Sequence, residues 1–280
     1  MSPTYIVREK WHLWLKTWGY LGAMVLLMGL LGWSLLGWSG LLWALGLTAA
    51  LVAIGGRVPV ELILRFYRGR KLTYYEAPEL FDLVGDLSRR AGLTQTPQVY
   101  LLPQDAINAF ATGGGSETAI AVTAGLLRSL NQRELAGVLA HEISHIRNKD
   151  LRWSRMAMLV SRLTRFFTLF GQFLLFINLP LLLMGETTVP WLFIALLLLA
   201  PGLSMLMQLG LSRTRELDAD LDAVRLTGDP HGLANALERI EWFNGGWQTL
   251  LRPMRRMRLP DWLRTHPSTA ERVQRLRQMG

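Results

Sequence analysis

The sequence contains no cysteine. This absence excludes disulfide bonds and every metal site that depends on thiolate ligands. Structural zinc sites are built mainly on cysteine, whereas catalytic sites use histidine and carboxylate ligands and keep one position open. A transition metal in this chain would therefore have to be held by histidine and carboxylate side chains, as in a catalytic site.

Charge is also absent from three long stretches. Residues 17–56, 166–185 and 187–212 contain no Asp, Glu, Lys or Arg. A helix needs about 20 predominantly apolar residues to cross a bilayer, so the first stretch can cross twice and each of the others once. We predict an integral membrane protein with about four transmembrane helices. A buried hairpin of a soluble protein is the alternative for the last two, because prolines interrupt them.

Acidic residues are few, with 21 Asp and Glu against 30 Lys and Arg and a net charge of +9. Nucleic acid, anionic lipid and membrane topology can each account for such an excess. The uncharged stretches favour topology, because Arg8, Lys10 and Lys16 precede the first stretch and Arg57 and Arg65 follow it. We predict the lipid bilayer as a partner, no nucleic acid, and both termini and the soluble segments in the cytoplasm.

The remaining segments have the patterns of a soluble domain. Apolar spacing predicts a helix over 77–91, a strand over 98–102, and a strand pair over 106–112 and 118–123. The predicted fold class is α+β and mainly helical. In chain order its parts are a basic flank with a transmembrane hairpin (1–56), a soluble part (57–152), a second transmembrane hairpin (153–212) and a second soluble part (213–280).

A further helix is predicted after the strand pair. Asn131 and Glu134 match a capping box, in which each residue's side chain binds the backbone N–H of the other. Gly137 follows within the helix and has no side chain, so we expect another segment to approach the helix closely there.

This helix carries His141, Glu142 and His145 in the pattern H-E-x-x-H. Residues four apart lie on the same face of a helix, so both imidazoles can reach one metal ion. Glu142 lies about 100° round the helix, from where it can contact a water on that metal. The pattern is typical of a zinc hydrolase in which the glutamate takes the proton of that water.

A catalytic zinc ion usually has three protein ligands, and H-E-x-x-H supplies two. Glu216 is the candidate for the third. Asp220, one helical turn later, could accept the outer N–H of a ligand histidine, and Asp150 is a second candidate for that role. Asp218 and Asp222 are better explained as part of a solvated acidic face. Two structural histidines and a solvated helix are the alternative that needs no metal.

Four motifs in this order resemble the HtpX family of membrane-bound zinc metallopeptidases, which are relatives of the CAAX prenyl proteases. The motifs are H-E-I-S-H at 141–145, S-R-x-R-E-x-x-A-D at 212–220, Asn108-Ala109-Phe110-Ala111 and His266-Pro267. The resemblance covers nearly the whole chain. Leu217 departs from the family, which often has an aromatic residue there, but this position is not a ligand.

The resemblance assigns roles to residues of this sequence. The implied ligands of one Zn²⁺ per chain are His141, His145 and Glu216. Glu142 would be the general base, and Asn108 and His266 would steady the substrate or the oxyanion. The segment 107–112, which includes Ala109, Phe110 and Ala111, could hold an extended peptide by strand addition.

The implied activity is that of a zinc-dependent endopeptidase with a cytoplasmic zincin-type catalytic domain, built from 57–152 and 213–280. Its substrates would be polypeptides, in particular misfolded or damaged membrane proteins cleaved in cytoplasmic segments. The membrane would be the inner membrane if the source is bacterial. One alternative is a CAAX-type prenyl-protein endopeptidase, although such enzymes have more membrane helices. Another is a non-catalytic scaffold or chaperone, which would not need a complete ligand set.

Overall fold

A computed structural model describes residues 3–54, 60–114, 117–185, 189–251 and 268–280. The helices are α1 (Pro3–Ile54), α2 (Val60–Phe66), α3 (Pro78–Arg90), α4 (Ala124–Ser129), α5 (Gln132–Arg147), α6 (Asp150–Ile177), α7 (Leu179–Leu183), α8 (Trp191–Thr227), α9 (Pro230–Leu251) and α10 (Thr269–Arg277). The strands are β1 (Arg70–Lys71), β2 (Gln98–Leu102), β3 (Ala109–Gly114) and β4 (Glu117–Thr123). A mainly helical fold with one small sheet confirms the predicted secondary-structure content.

The chain divides into two compact units whose segments alternate along the sequence. The first unit comprises Met1–Leu13, Arg57–Arg152 and Arg213–Gly280, and the second comprises Trp14–Gly56 and Trp153–Ser212. Both α6 and α8 contribute residues to each unit. Each unit is therefore assembled from stretches that lie far apart in the sequence.

The sheet of the first unit has the strand order β1-β2-β4-β3. Strands β2 and β4 are parallel, and the other two pairs are antiparallel. The β3–β4 hairpin confirms the predicted strand pair, although β3 begins at Ala109 rather than at 106. The residues just before β3 contact the start of α4 instead, where Gly125 N–H donates to the carbonyl of Gln104 at 3.0 Å. As the last strand in the order β1-β2-β4-β3, strand β3 forms one edge of the sheet.

Side chains of β4 alternate between two apolar clusters, as the period of two in a strand requires. Ile120 and Val122 pack in the main core, together with residues of α3, α5 and α9. Ala119 and Ala121 face the other way and pack with Val60 of α2. The sheet therefore lies between α5 on one face and α2 on the other.

Gly137 is a point of close approach between α5 and α9. A Cβ atom on Gly137 would lie 2.8 Å from both the Cα and the N atom of Leu233. Close contact of another segment at this glycine was predicted from the sequence and is confirmed. Because the opposing atoms belong to the backbone, they cannot rotate out of the way.

We therefore expect Gly137→Ala to destabilise the protein by about 1–2 kcal/mol. Overpacking a core costs about 1–3 kcal/mol, which outweighs the roughly 1 kcal/mol that alanine adds to helix propensity. Gly85→Ala in α3 is the matched control, because the nearest atom there is the flexible Arg89 Nη1 at 3.9 Å. Thermal unfolding in detergent should show a lower midpoint for the first variant and an equal or higher midpoint for the second. Equal stabilisation by both would contradict the packing argument.

The second unit contains long apolar helices. Helix α1 departs from helical geometry at Leu36 and Gly37, and Gly37 has a positive φ of 60°. Gly32 and Gly40, on either side of this break, lie so close that a Cβ on Gly32 would be 2.4 Å from the carbonyl oxygen of Gly40. Since residues eight apart in one straight helix would be about 12 Å apart, the chain folds back on itself here.

Large apolar side chains of the second unit are exposed. Examples with more than two thirds of the side chain exposed are Trp38, Leu42, Trp43, Phe176, Trp191 and Leu198. Among the described residues, three helical stretches are long and apolar enough to cross a membrane: Val7–Ala50, Asp150–Ile177 and Trp191–Thr227. Exposed apolar surface on helices of this length is typical of a protein surrounded by lipid. Four crossings remain a prediction.

The prediction that Asp218 and Asp222 lie on a solvated face is wrong. Asp218 is 7% exposed and Asp222 is completely buried. Their charges are balanced by two cations of the first unit. Lys10 is far away in the sequence and lies 2.7 Å from Asp222, and Arg215 is one helical turn away and lies 2.9 Å from Asp218. Spacing within the acidic segment contained no information about Lys10.

Candidate metal centre

The two histidines of H-E-x-x-H lie on a firmly capped helix. Both hydrogen bonds of the predicted capping box are present, and each joins Asn131 and Glu134 at 3.0 Å. Helix α5 continues from this cap through His141 and His145, which are one turn apart. The Nε2 atoms of the two imidazoles lie only 3.1 Å from each other. Both rings therefore direct the same nitrogen towards one point.

Glu216 of α8 completes a cluster of three. Its Oε2 lies 3.4 Å from His141 Nε2, and its Oε1 lies 3.9 Å from His145 Nε2. One ligand atom from each residue can be chosen so that all lie within 4.8 Å of one another. Ligands of a tetrahedral zinc ion with bonds of 2.0–2.1 Å stand about 3.3 Å apart. The spacing and the donor set, two imidazoles and a carboxylate, thus fit such an ion.

Each histidine has a carboxylate on its other ring nitrogen. Asp150 Oδ2 lies 2.7 Å from His145 Nδ1, and Asp220 Oδ1 lies 3.0 Å from His141 Nδ1. A carboxylate that accepts the Nδ1 proton fixes the ring orientation and leaves Nε2 free to act as a ligand. The structure therefore brings both aspartates to the positions that the sequence suggested for them.

Arg272 of α10 is a member of the site that was not predicted. Its guanidinium donates to both oxygens of Asp220, at 2.8 and 2.6 Å, and its Nη1 lies 3.2 Å from Glu216 Oε2. The side chain is only 11% exposed. One signal was available in the sequence: Arg272 stands one turn before Leu276, on the side of α10 that the buried Val273 and Leu276 mark as inward-facing.

The charges around His141 favour its protonated form when no metal is bound. Burial opposes protonation, but hydrogen bonds to Asp220 and Glu216 outweigh it and raise the pKa of His141 to about 10. A protonated imidazole carries a hydrogen on both ring nitrogens, so a metal ion has to displace the Nε2 proton here. Metal affinity at this centre is therefore expected to increase with pH.

Glu142 is directed towards the free edge of the sheet. Its Oε2 accepts a hydrogen bond from the backbone N–H of Ala111 in β3 at 2.8 Å. The side chain is half-buried. The residue that the sequence named as general base thus lies on the same helix as the two histidines and touches the strand that was proposed to bind substrate.

The residues that were predicted to contact the substrate or the oxyanion are only partly described by the structure. The backbone of Asn108 is fixed, because its N–H and its carbonyl both bond to Thr123 Oγ1 at 3.0 Å and the carbonyl also accepts from Thr123 N–H. The side chain of Asn108 is exposed. Ala109, Phe110 and Ala111 lie in edge strand β3. His266 lies outside the described residues.

Comparison with known proteins identifies the family of this chain. The sequence model of peptidase family M48 matches residues 75–280. The chain therefore belongs to peptidase family M48, and it is a membrane-bound metalloprotease. Among its relatives is the Protease HtpX homolog of Paraburkholderia phytofirmans, 34% identical over 285 residues that cover 95% of this chain and 97% of the relative. The resemblance to the HtpX family is thereby confirmed.

Two further matches extend the comparison. The Protease HtpX homolog of Thermococcus kodakarensis is 37% identical over 239 residues, which cover 79% of this chain and 80% of the relative. The crystal structure of S. mikatae Ste24p has a TM-score of 0.54 and 20% identity, and the match covers 97% of this chain and 66% of that one. At this identity, the second likeness concerns the fold alone.

Proposed function

We propose that the protein is a zinc-dependent endopeptidase in which His141, His145 and Glu216 hold one Zn²⁺ and Glu142 is the general base. The observation that carries this proposal is the convergence of two Nε2 atoms and a carboxylate within 4.8 Å. Asp150 and Asp220 support it, because each binds the outer nitrogen of one of the histidines.

A bound zinc ion would supply Lewis acidity, which makes water a better nucleophile and polarises the scissile carbonyl. The chain supplies the proton transfers. Glu142 takes a proton from the attacking water and delivers it to the leaving amine, as a positioned carboxylate can do. Asn108 and His266 are the proposed donors to the oxyanion. Loss of cleavage in Asn108→Ala, with KM unchanged, would support that role for Asn108.

The free edge of β3 is the proposed binding surface for the peptide. Asn108 bonds towards β4 through Thr123, and neighbouring residues of an antiparallel strand alternate in direction. The N–H and C=O groups of Ala109 and Ala111 therefore point away from β4, as the bond from Ala111 to Glu142 illustrates. An extended substrate can pair with the groups of Ala109 and with the carbonyl of Ala111 whatever its sequence.

Peptides methylated on single backbone nitrogens test this mode of binding. Methylation of an amide that pairs with β3 should raise KM roughly tenfold, since an unmade hydrogen bond costs about 1–3 kcal/mol. Methylation of the next amide, which points away from the edge, should have little effect. A KM profile without this alternation along the peptide would contradict strand addition.

Metal removal tests the zinc assignment. The purified full-length chain in detergent should contain about one zinc ion and cleave casein. Treatment with a chelator should abolish cleavage, and stoichiometric zinc should restore it. Cleavage that persists in fully metal-free protein would overturn the proposal. An inactive protein without bound zinc, in which His141→Ala changes no cellular phenotype, would favour the scaffold alternative.

The proposed substrates are misfolded or damaged membrane proteins cleaved in their cytoplasmic segments. Two curated relatives named Protease HtpX homolog support the choice of polypeptide substrates. A destabilised variant of a model membrane protein should be cleaved faster than its folded parent, and equal rates would contradict this role. Faster cleavage of a prenylated peptide than of its unprenylated form would instead favour the CAAX-type alternative.

We infer that both termini and the metal centre face the cytoplasm, with four crossings of the inner membrane if the source is bacterial. The basic residues that flank the uncharged stretches support this orientation. The chain offers a cysteine-free background for a test. A membrane-impermeant maleimide added to intact cells should label Ser39→Cys but not Ser268→Cys, and the reverse pattern would exclude the orientation.

A further inference from the structure

A buried polar cluster lies beside the metal centre and contains none of its proposed ligands. Asp218 and Asp222 stand one turn apart on α8, and the side-chain amide of Asn148 donates to both, at 3.3 and 2.9 Å. Asn148 follows the last residue of α5. These bonds therefore connect the helix that carries the two histidines with the helix that carries the third ligand.

Lys10 provides the closest positive charge to this cluster. Its Nζ lies 2.7 Å from both carboxylate oxygens of Asp222 and 3.6 Å from Asp218 Oδ1. Arg147 and Arg225 are farther from Asp222, at 3.6 and 3.9 Å, and more than 40% exposed. A completely buried carboxylate is costly unless it is paired. Lys10, whose side chain is 24% exposed, is thus the principal counter-charge of Asp222.

Contacts continue from the cluster to a metal ligand. Asp218 Oδ2 lies 2.9 Å from Arg215 Nη2, and Arg215 also pairs with Asp150. Asp150 in turn lies 2.7 Å from His145 Nδ1. An unbroken series of ion pairs and hydrogen bonds therefore joins Lys10, near the start of the chain, to a histidine of the metal centre.

We propose that Lys10 is a positioning residue for the metal centre, an inference that rests on the proposed function. Its ammonium group balances Asp218 and Asp222, and in doing so it holds α8 against the end of α5 and keeps Arg215 directed at Asp150. Without it, the remaining cations near Asp222 are the more distant and more exposed Arg147 and Arg225, and Arg215 is drawn towards the uncompensated aspartates. The ligand geometry then loosens, although no ligand has been altered.

The test uses Lys10→Met in the full-length chain, with Lys10→Arg as the conservative variant and Lys16→Met as the matched control. Lys16 lies on the same helix, and its side chain is exposed. Zinc affinity, measured by competition with a chromophoric chelator, should fall about tenfold in Lys10→Met, at the low end of what is typical for residues that support a ligand. The kcat should fall with KM unchanged, Lys10→Arg should restore most of both, and Lys16→Met should match the parent.

Lys10→Gln keeps the test decisive if Lys10→Met fails to fold, because glutamine retains a hydrogen-bond donor without the charge and should give an intermediate loss. A folded Lys10→Met or Lys10→Gln variant with parental zinc affinity and kcat would overturn the inference while leaving the proposed function intact. A parent protein that neither binds zinc nor cleaves peptide would instead overturn both.

Discussion

Replacement of Glu142 by glutamine is expected to lower kcat for peptide-bond cleavage by roughly 10³-fold, within the range of general acid–base catalysis. The change is nearly isosteric, and the amide oxygen of glutamine can still accept the hydrogen bond that Ala111 N–H donates to Glu142. Position and packing are therefore retained. What is lost is the ability to take a proton from water and pass it on.

The measurement compares kcat, KM and bound zinc for Glu142→Gln and its parent, both as full-length protein. We expect equal zinc content and similar KM, because neither the metal ligands nor the edge of β3 has changed. Glu238→Gln is the control, since Glu238 is an exposed glutamate that pairs with Arg277 on the surface. A Glu142→Gln variant that keeps more than a tenth of the parental kcat would exclude Glu142 as the general base.

Features with local causes were predictable from the sequence. The capping box of Asn131 and Glu134 involves residues three apart, and the two histidines are separated by one helical turn. The run of three glycines at 113–115 in the sequence indicated where the hairpin of β3 and β4 would be. Gly137 could be recognised as a site of close contact because a glycine in an otherwise favourable helix usually has a packing reason. Its partner in α9 could not be identified from the sequence.

Features that depend on distant partners were not predictable in the same way. Asp222 is buried because Lys10, 212 residues away, neutralises it. Arg272 contacts Asp220 across 52 residues and lies near His141 across 131. The apolar spacing of α10 places Arg272 on the inward side of the helix, but one sequence does not identify the distant residue with which such a charge pairs. The site's charge balance therefore emerged only from the structure.

The same charge balance predicts a large effect for Asp220→Ala. Asp220 has two roles, since it pairs with the nearly buried Arg272 and holds His141 Nδ1. Removing one partner of a buried pair typically costs about 3–5 kcal/mol, and loss of the group that orients a ligand lowers metal affinity about 10- to 100-fold. We expect both losses, seen as a lower unfolding midpoint of the zinc-free protein and weaker zinc binding.

The double variant Asp220→Ala with Arg272→Met separates the two roles. Without the guanidinium that has lost its bidentate partner, most of the lost stability should return, because a buried ion pair can be replaced by apolar groups at little cost. Zinc affinity should stay low, because His141 still lacks the carboxylate that orients it. A double variant as unstable as the single one would show that Asp220 stabilises the fold by other contacts. Recovery of zinc affinity would show that the charge of Arg272 without Asp220, rather than the loss of orientation, had weakened the metal centre.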